Sequence, residues 1–246
     1  MTGKRSILTV DIGNTAVKAA VFEGERLVAS VVGRAGAAEA LDALMMYNTV
    51  DGVCFCSVGG EEPELGSRLQ NAGVPVLRLT SDTPVPIGVE YGSRATLGAD
   101  RLAAAAGVAG DTPVLVVDAG TAVTIDLVAG NTFLGGNISP GLRLRFRSLN
   151  AFTSRLPLVG PEGELPEFGN DTVTAIRSGV MRGLAGELAA AYMTAQNRFE
   201  NIKMVLTGGD AAIFQPMLAQ RGIDVVADPE AVGRGLVRIF NYNIEL

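Results

Sequence analysis

The sequence contains no histidine. That excludes Ser-His-Asp and Cys-His nucleophilic catalysis, phosphohistidine chemistry, and every zinc site built on an imidazole. Any general base must then be Asp, Glu, Lys, Tyr or Cys. Cysteine is scarce: Cys54 and Cys56, one residue apart, cannot frame a disulfide scaffold. They lie in the run Val53-Cys54-Phe55-Cys56-Ser57-Val58, which reads as a buried strand. Small core hydrophobes are the expectation, with a metal or redox role as the alternative. No run of about 20 apolar residues occurs, so no membrane-spanning helix is expected. The N-terminal apolar run stops at Asp11, too soon for a signal peptide, and a cytoplasmic location is expected. Basic clusters are also missing. The 20 Lys and Arg against 26 Asp and Glu leave a net charge of −6, which argues against a nucleic-acid partner. The only Gly-Lys pair is Gly3-Lys4, so no P-loop exists, and neither a dinucleotide-binding glycine fingerprint nor the protein-kinase motif set appears.

What is present is a hydrophobic content of 48% in 246 residues, enough for a real core and for one large or two smaller domains. The 31 glycines exceed the roughly 17 that average usage would give, which suggests tight turns or close backbone approach to a ligand. Short apolar β runs at 7–10, 16–22 and 27–32 are separated by Gly turns. A helix is expected at 37–47, a strand at 52–58, a helix at 63–71 and a strand at 74–79. A long loop follows at 80–96, with Pro84 and Pro86, and loops of that length are often functional. An alanine-rich helix spans 97–108. The pattern then restarts: strands at 113–117, 121–128 and 132–134, helices at 141–150 and 171–197, a strand at 204–206, a helix to 220, a strand at 224–226, and a final helix from 229.

The two starts align. With Asn14 left unpaired, Asp11-Ile12-Gly13 lies over Asp118-Ala119-Gly120, and Thr15-Ala16-Val17 over Thr121-Ala122-Val123. Chance likeness between two Gly-rich hairpins is the simpler reading. The sharper one is a duplicated α/β fold: two ribonuclease H-like (actin-like ATPase) domains, 1–112 and 113–246, with a central cleft.

Three segments carry candidate chemistry. In Asp11-Ile12-Gly13-Asn14-Thr15-Ala16-Val17-Lys18 a strand ends in a carboxylate and a turn of small residues exposes N–H groups that can cradle phosphate oxygens. Asp11 could hold a phosphate-bound magnesium ion, and Lys18 could meet a phosphate. In the second copy, Asp118 with Gly120 and Thr121 could complete a metal-assisted phosphoryl-transfer site. In Leu97-Gly98-Ala99-Asp100-Arg101-Leu102 the helix N-terminus favours an ionised Asp100, which could take a hydroxyl proton, and Arg101 could pair with a carboxylate or phosphate. Each segment also has a plain structural reading, as an ordinary hairpin or a surface ion pair.

Taken in order, Asp11-x-Gly13-Asn14-Thr15 with Lys18, Gly98-Ala99-Asp100-Arg101, Asp118-x-Gly120-Thr121-Ala122 and Leu134-Gly135-Gly136-x-Ile138-x-Pro140-Gly141 resemble the motif series of type III pantothenate kinases. Thr153-x-x-Leu156-Pro157, Thr172 with Ser178-Gly179, and Leu206-Thr207-Gly208-Gly209 fit as well, so the resemblance covers nearly the whole chain. It implies transfer of the γ-phosphoryl group of ATP to the primary hydroxyl of pantothenate, giving 4'-phosphopantothenate, the first step of coenzyme A biosynthesis. By resemblance, residues Asp11 through Lys18 form the ATP phosphate loop with a further ATP contact at Thr121. Asp100 is the general base. Tyr91, Gly98, Ala99, Asp100, Arg101 and Thr172 bind pantothenate. Asp118 ligates a monovalent cation, potassium or ammonium, rather than neighbouring magnesium, and magnesium accompanies ATP. The resemblance also implies a homodimer. Two alternatives are a non-catalytic regulatory accessory protein, which would not need Asp11, Lys18 and Asp100, and another kinase or phosphatase of the duplicated superfamily. Arg143, Arg145 and Arg147 make the helix after Gly141 unusually basic for the family, and Val58-Gly59-Gly60 lacks a proline that relatives often carry.

Overall fold

The structure is a computed structural model and describes residues 5–33, 42, 44–46, 49–58 and 73–245. The helix expected at 63–71 lies outside these residues. Of the helix expected at 37–47, residues 42 and 44–46 are described and are helical. The chain divides into two compact units. The first comprises Met1–Ala109, Asn131–Leu134 and Glu230–Leu246; the second comprises Gly110–Gly130 and Gly135–Pro229.

The first unit is built on β1 (Ser6–Ile12), β2 (Val17–Glu23), β3 (Arg26–Gly33), β4 (Gly52–Ser57) and β5 (Val76–Arg78), in the order β3-β2-β1-β4-β5. β1 pairs antiparallel with β2 and parallel with β4, so it is central and buried on both faces. This is why it reads as an unbroken apolar run rather than an alternation. One face carries the cluster of Leu8, Val10, Ile12, Val17, Ala19, Val21, Leu44 and Val53. The other meets two helices, α1 (Ala99–Val108) and α5 (Ala231–Glu245). Gly52 faces the Phe240 ring, and Gly233 faces Phe22.

α1 and α5 approach backbone to backbone. A Cβ on Gly107 would stand 1.9 Å from the Ala231 carbonyl oxygen, and one on Gly235 would stand 1.8 Å from that of Ala103. Each helix thus presents a small residue four positions from another, Ala103 with Gly107 and Ala231 with Gly235, one turn apart on one face. Arg238 of α5 then closes the far end of α1. It donates from Nη1 to the carbonyls of Ala106 (2.9 Å) and Ala109 (3.1 Å) and pairs with Glu25 through Nε (2.8 Å). A cation at a helix C-terminus is favoured by the unsatisfied carbonyls there.

The segment expected to be a long loop at 80–96 contains short regular elements. It holds β6 (Gly88–Val89) and a 3₁₀ turn (Arg94–Thr96). The two prolines withhold donors, yet Gly88 N finds Asn131 O at 3.0 Å and Glu90 N finds Phe133 O at 2.8 Å. Arg94 secures the preceding stretch by donating to Ser81 O and Thr83 O.

The second unit repeats the plan. β7 (Val114–Ala119), β8 (Ala122–Ala129), β9 (Thr132–Pro140), β10 (Lys203–Thr207) and β11 (Val225–Ala227) form a sheet in the order β11-β10-β7-β8-β9-β6, in which β6 and the first residues of β9 belong to the first unit. Leaving aside β6 at the edge, both sheets are third strand, second, first, fourth, fifth. In both, the first strand pairs antiparallel with the second and parallel with the fourth. The gap placed at Asn14 is visible in the turns: Gly13 N bonds Ala16 O and Gly120 N bonds Ala122 O, each at 3.0 Å, so the second turn is one residue shorter. Around this sheet lie α2 (Leu142–Ala151), α3 (Thr172–Gln196) and α4 (Ala211–Ala219). Leu115, Val117, Ile125, Phe146, Leu184, Leu206 and Phe214 are among the core they share. α3 begins with a capping box: Asp171 accepts from Thr174 N, and the Thr174 side chain returns to the Asp171 backbone.

Candidate active site

Asp11 stands near the C-terminal end of β1, where sheet register fixes its neighbours. It is opposite Lys18 on β2 and level with Cys56 on β4. The Cys56 thiol donates to Asp11 Oδ1 at 3.4 Å. Burial pushes the Asp11 carboxyl up to about 6; the Cys56 hydrogen bond opposes this, the nearby charge of Asp100 adds to it, and Lys18 opposes it. Burial, together with the negative fields of Asp11 and Asp100, drives the Cys56 thiol well above its ordinary range, so it remains protonated and able to donate. Lys18 Nζ lies 3.8 Å from Glu230 Oε1, at the entry to α5. In the turn, Ile12 and Val17 are buried and serve the core, while Asn14 and Thr15 are exposed at the tip.

Asp100 occupies the first turn of α1, half-buried, and its Oδ1 accepts from Arg101 N at 2.9 Å. Gly98 is the N-cap, and a Cβ there would meet Asp100 Oδ1 at 2.5 Å, so only glycine leaves this carboxylate its place over the helix N-terminus. Arg101 is 4% exposed. Its guanidinium carbon lies over the rings of Tyr91 and Phe133, 5.6 Å from each centroid. The first unit therefore gathers Asp11, Lys18 and Asp100 into one electrostatically coupled group and joins Tyr91 to Arg101 beside it.

The second unit holds the other candidates. Asp118, on β7, is opposite Thr124 on β8 and level with Thr207 on β10, the position that Cys56 holds in the first copy. After β10 the chain turns back at Gly208, with φ +92°; a Cβ there would lie 2.4 Å from Asp118 Oδ1 and 2.5 Å from Ala119 O. The Asp118 carboxylate and the Ala119 carbonyl oxygen thus crowd one point. Thr121 is exposed in the short turn. Burial raises the Asp210 carboxyl, and Arg143 opposes the rise. Thr172 is the first residue of α3 and is exposed.

Sequence reasoning missed three participants. Cys56 read as a core residue, with a metal or redox role as the alternative and no link to Asp11, because nothing local shows that its strand lies beside β1. Glu230 and Phe133 are distant in sequence from Lys18 and Arg101. Among the described residues no group of three or more Cys, Asp or Glu side chains converges as a ready-made metal site. No helix among them is long and apolar enough to cross a membrane.

Two sheets that share one five-strand order, each opening with an acidic Gly-turn hairpin, define the duplicated ribonuclease H-like fold of the actin-like ATPases. Solved structures agree at the level of fold. A Baf family transcriptional activator from Campylobacter jejuni superposes with a TM-score of 0.62 at 24% identity, over 97% of this chain and 100% of that one. A ROK family glucokinase from Streptomyces griseus, in complex with glucose and AMPPNP, gives 0.56 at 15% identity, over 96% and 98%. The family description "Type III pantothenate kinase" matches residues 7–194. A type III pantothenate kinase from Porphyromonas gingivalis is 39% identical over 246 residues, covering 96% of this chain and 98% of its own. The chain belongs to the type III pantothenate kinase family.

Proposed function

We propose that this protein is a pantothenate kinase, transferring the γ-phosphoryl group of ATP to the primary hydroxyl of pantothenate. The observation that carries the reading is the pairing of Asp100, a half-buried carboxylate at a helix N-terminus, with the buried Arg101 that follows it. A base for an alcohol and a cation for a further oxygen of the same acceptor suit a hydroxy acid. In this reading Asp100 takes the hydroxyl proton, the alkoxide oxygen bonds to the γ-phosphorus, and the bond from that phosphorus to the bridging oxygen breaks to release ADP. Asp11 through Lys18 and Thr121 bind ATP; Tyr91, Gly98, Ala99, Arg101 and Thr172 bind pantothenate.

Magnesium accompanies ATP in this assignment, and Asp11 fits it. A buried carboxylate beside a second carboxylate is stabilised by a divalent cation, and magnesium is commonly held by one carboxylate plus phosphate oxygens and water. The ion would neutralise charge developing on the phosphates. Asp118 is assigned a monovalent cation, potassium or ammonium. Its carboxylate and the adjoining Ala119 carbonyl oxygen are donors suited to a large, weakly hydrated ion. The repeat boundary is taken between residues 112 and 113. A cytoplasmic homodimer is proposed as well, supported by large apolar side chains left exposed on the second unit, among them Phe152 (88%) and Phe168 (85%).

The test is phosphate transfer from ATP to pantothenate in Tris buffer, with potassium or sodium chloride at matched ionic strength. The expected result is phosphopantothenate formation, fast with potassium and slow with sodium. No transfer in either salt refutes the kinase reading; equal rates in both return Asp118 to a magnesium role.

A further inference from the structure

Burying a guanidinium strips its hydration, and its charge persists at any physiological pH. At Arg101 two aromatic faces replace part of what is lost. The rings of Tyr91 and Phe133 are inclined at 69° with centroids 5.8 Å apart. One ring would leave the guanidinium able to slide across its face; two inclined rings restrain it in two directions.

Neither ring is carried by α1. Tyr91 follows β6 and Phe133 is the second residue of β9, and these strands pair in parallel with Val89 level with Phe133. The ladder is reinforced by Asn131 Nδ2, which donates to Pro86 O at 3.0 Å. Phe133 itself is fully buried. The chain thus folds a second, separate element around the side chain next to Asp100.

The geometry points to Phe133, with the ring of Tyr91, as the positioning element that fixes the Arg101 guanidinium for an oxygen of the acceptor substrate. Phe133 governs acceptor affinity through Arg101 without touching the substrate. This inference rests on the pantothenate reading and deepens it.

The experiment compares Phe133→Leu and Tyr91→Leu with wild type and with Tyr91→Phe, which keeps the ring. Each Leu substitution is also made in an Arg101→Met background, and KM for pantothenate, KM for ATP and kcat are measured for all. The loss of one buried cation–π contact corresponds to roughly a 5- to 30-fold change. The KM for pantothenate should rise by that factor in Phe133→Leu and Tyr91→Leu. The KM for ATP should stay within about threefold, and Tyr91→Phe should stay closer to wild type than Tyr91→Leu. In the Arg101→Met background Phe133→Leu should not raise the pantothenate KM further, whereas Tyr91→Leu, which also removes a substrate contact, still can. If Phe133→Leu fails to fold, the closer-sized Phe133→Met is measured in both backgrounds in its place and decides. Parallel rises in both KM values, or an effect of the Phe133 substitution that persists without Arg101, overturns the inference. Wild-type protein that does not phosphorylate pantothenate at all overturns the functional reading instead.

Discussion

Asp11→Asn should make the ligand-free protein more stable and leave it inactive. The Asp11 carboxyl is raised from its ordinary 3.8 to about 6, chiefly by burial. Between those values the folded protein holds a proton that the unfolded chain has released. Stability therefore falls as pH rises from about 4 to 6, and the full cost is carried above that. A gap of roughly two pH units corresponds to about 3 kcal/mol. Asparagine keeps the shape but cannot ionise. The Cys56 thiol can still donate to its oxygen, and Lys18 keeps Glu230. The variant should gain up to about 3 kcal/mol at pH 7.5, or about 6–12 °C in a chain of this length. The gain should shrink progressively as pH is lowered towards 4. Thermal melts without nucleotide at pH 7.5, 6.5 and 5.5 measure this. Mg-ATP should then raise the melting temperature of the wild type and do little for the variant, because only the wild type binds it well. A variant no more stable than wild type at pH 7.5, or a difference that does not change with pH, would refute the reasoning.

Asp100→Asn should lower kcat by about 10²–10⁴-fold with near-normal melting, since it removes a general base while keeping shape; activity within about threefold of wild type would remove Asp100 from the mechanism. Gly235→Ala places a methyl 1.8 Å from the Ala103 carbonyl oxygen and should cost at least about 1–3 kcal/mol in urea titrations. Gly183→Ala, where a Cβ meets nothing within 4 Å, should instead stabilise by about 0.5–1 kcal/mol. A larger loss at Gly183 than at Gly235 would contradict the close contact of α1 and α5. Cys54 and Cys56 are buried, with thiols pushed up by burial. Neither should react with a thiol reagent at pH 8 until the protein is denatured, and rapid labelling of the native protein would disprove their burial.

The sequence by itself determined what is local. Gly turns between short apolar runs gave the two hairpins, β1–β2 and β7–β8, and even the one-residue difference at Asn14, because a turn's hydrogen bond depends only on residues a few positions apart. The helix read at 171–197 matches α3 to within a residue at either end. Asp11, Asp100 and Asp118 were legible because a carboxylate ending an apolar strand or opening a helix is conspicuous. Tertiary structure decided the rest. The final helix joined the first unit through Gly107 and Gly235, a backbone contact that glycine permits but does not announce. Cys56 became a hydrogen-bond donor to Asp11 only because β4 lies parallel to β1. Phe133 met Arg101, 32 positions away in sequence, only because β6 pairs with the start of β9. Such contacts depend on which strands become neighbours. That choice is made by packing across the whole sheet, and no local pattern encodes it.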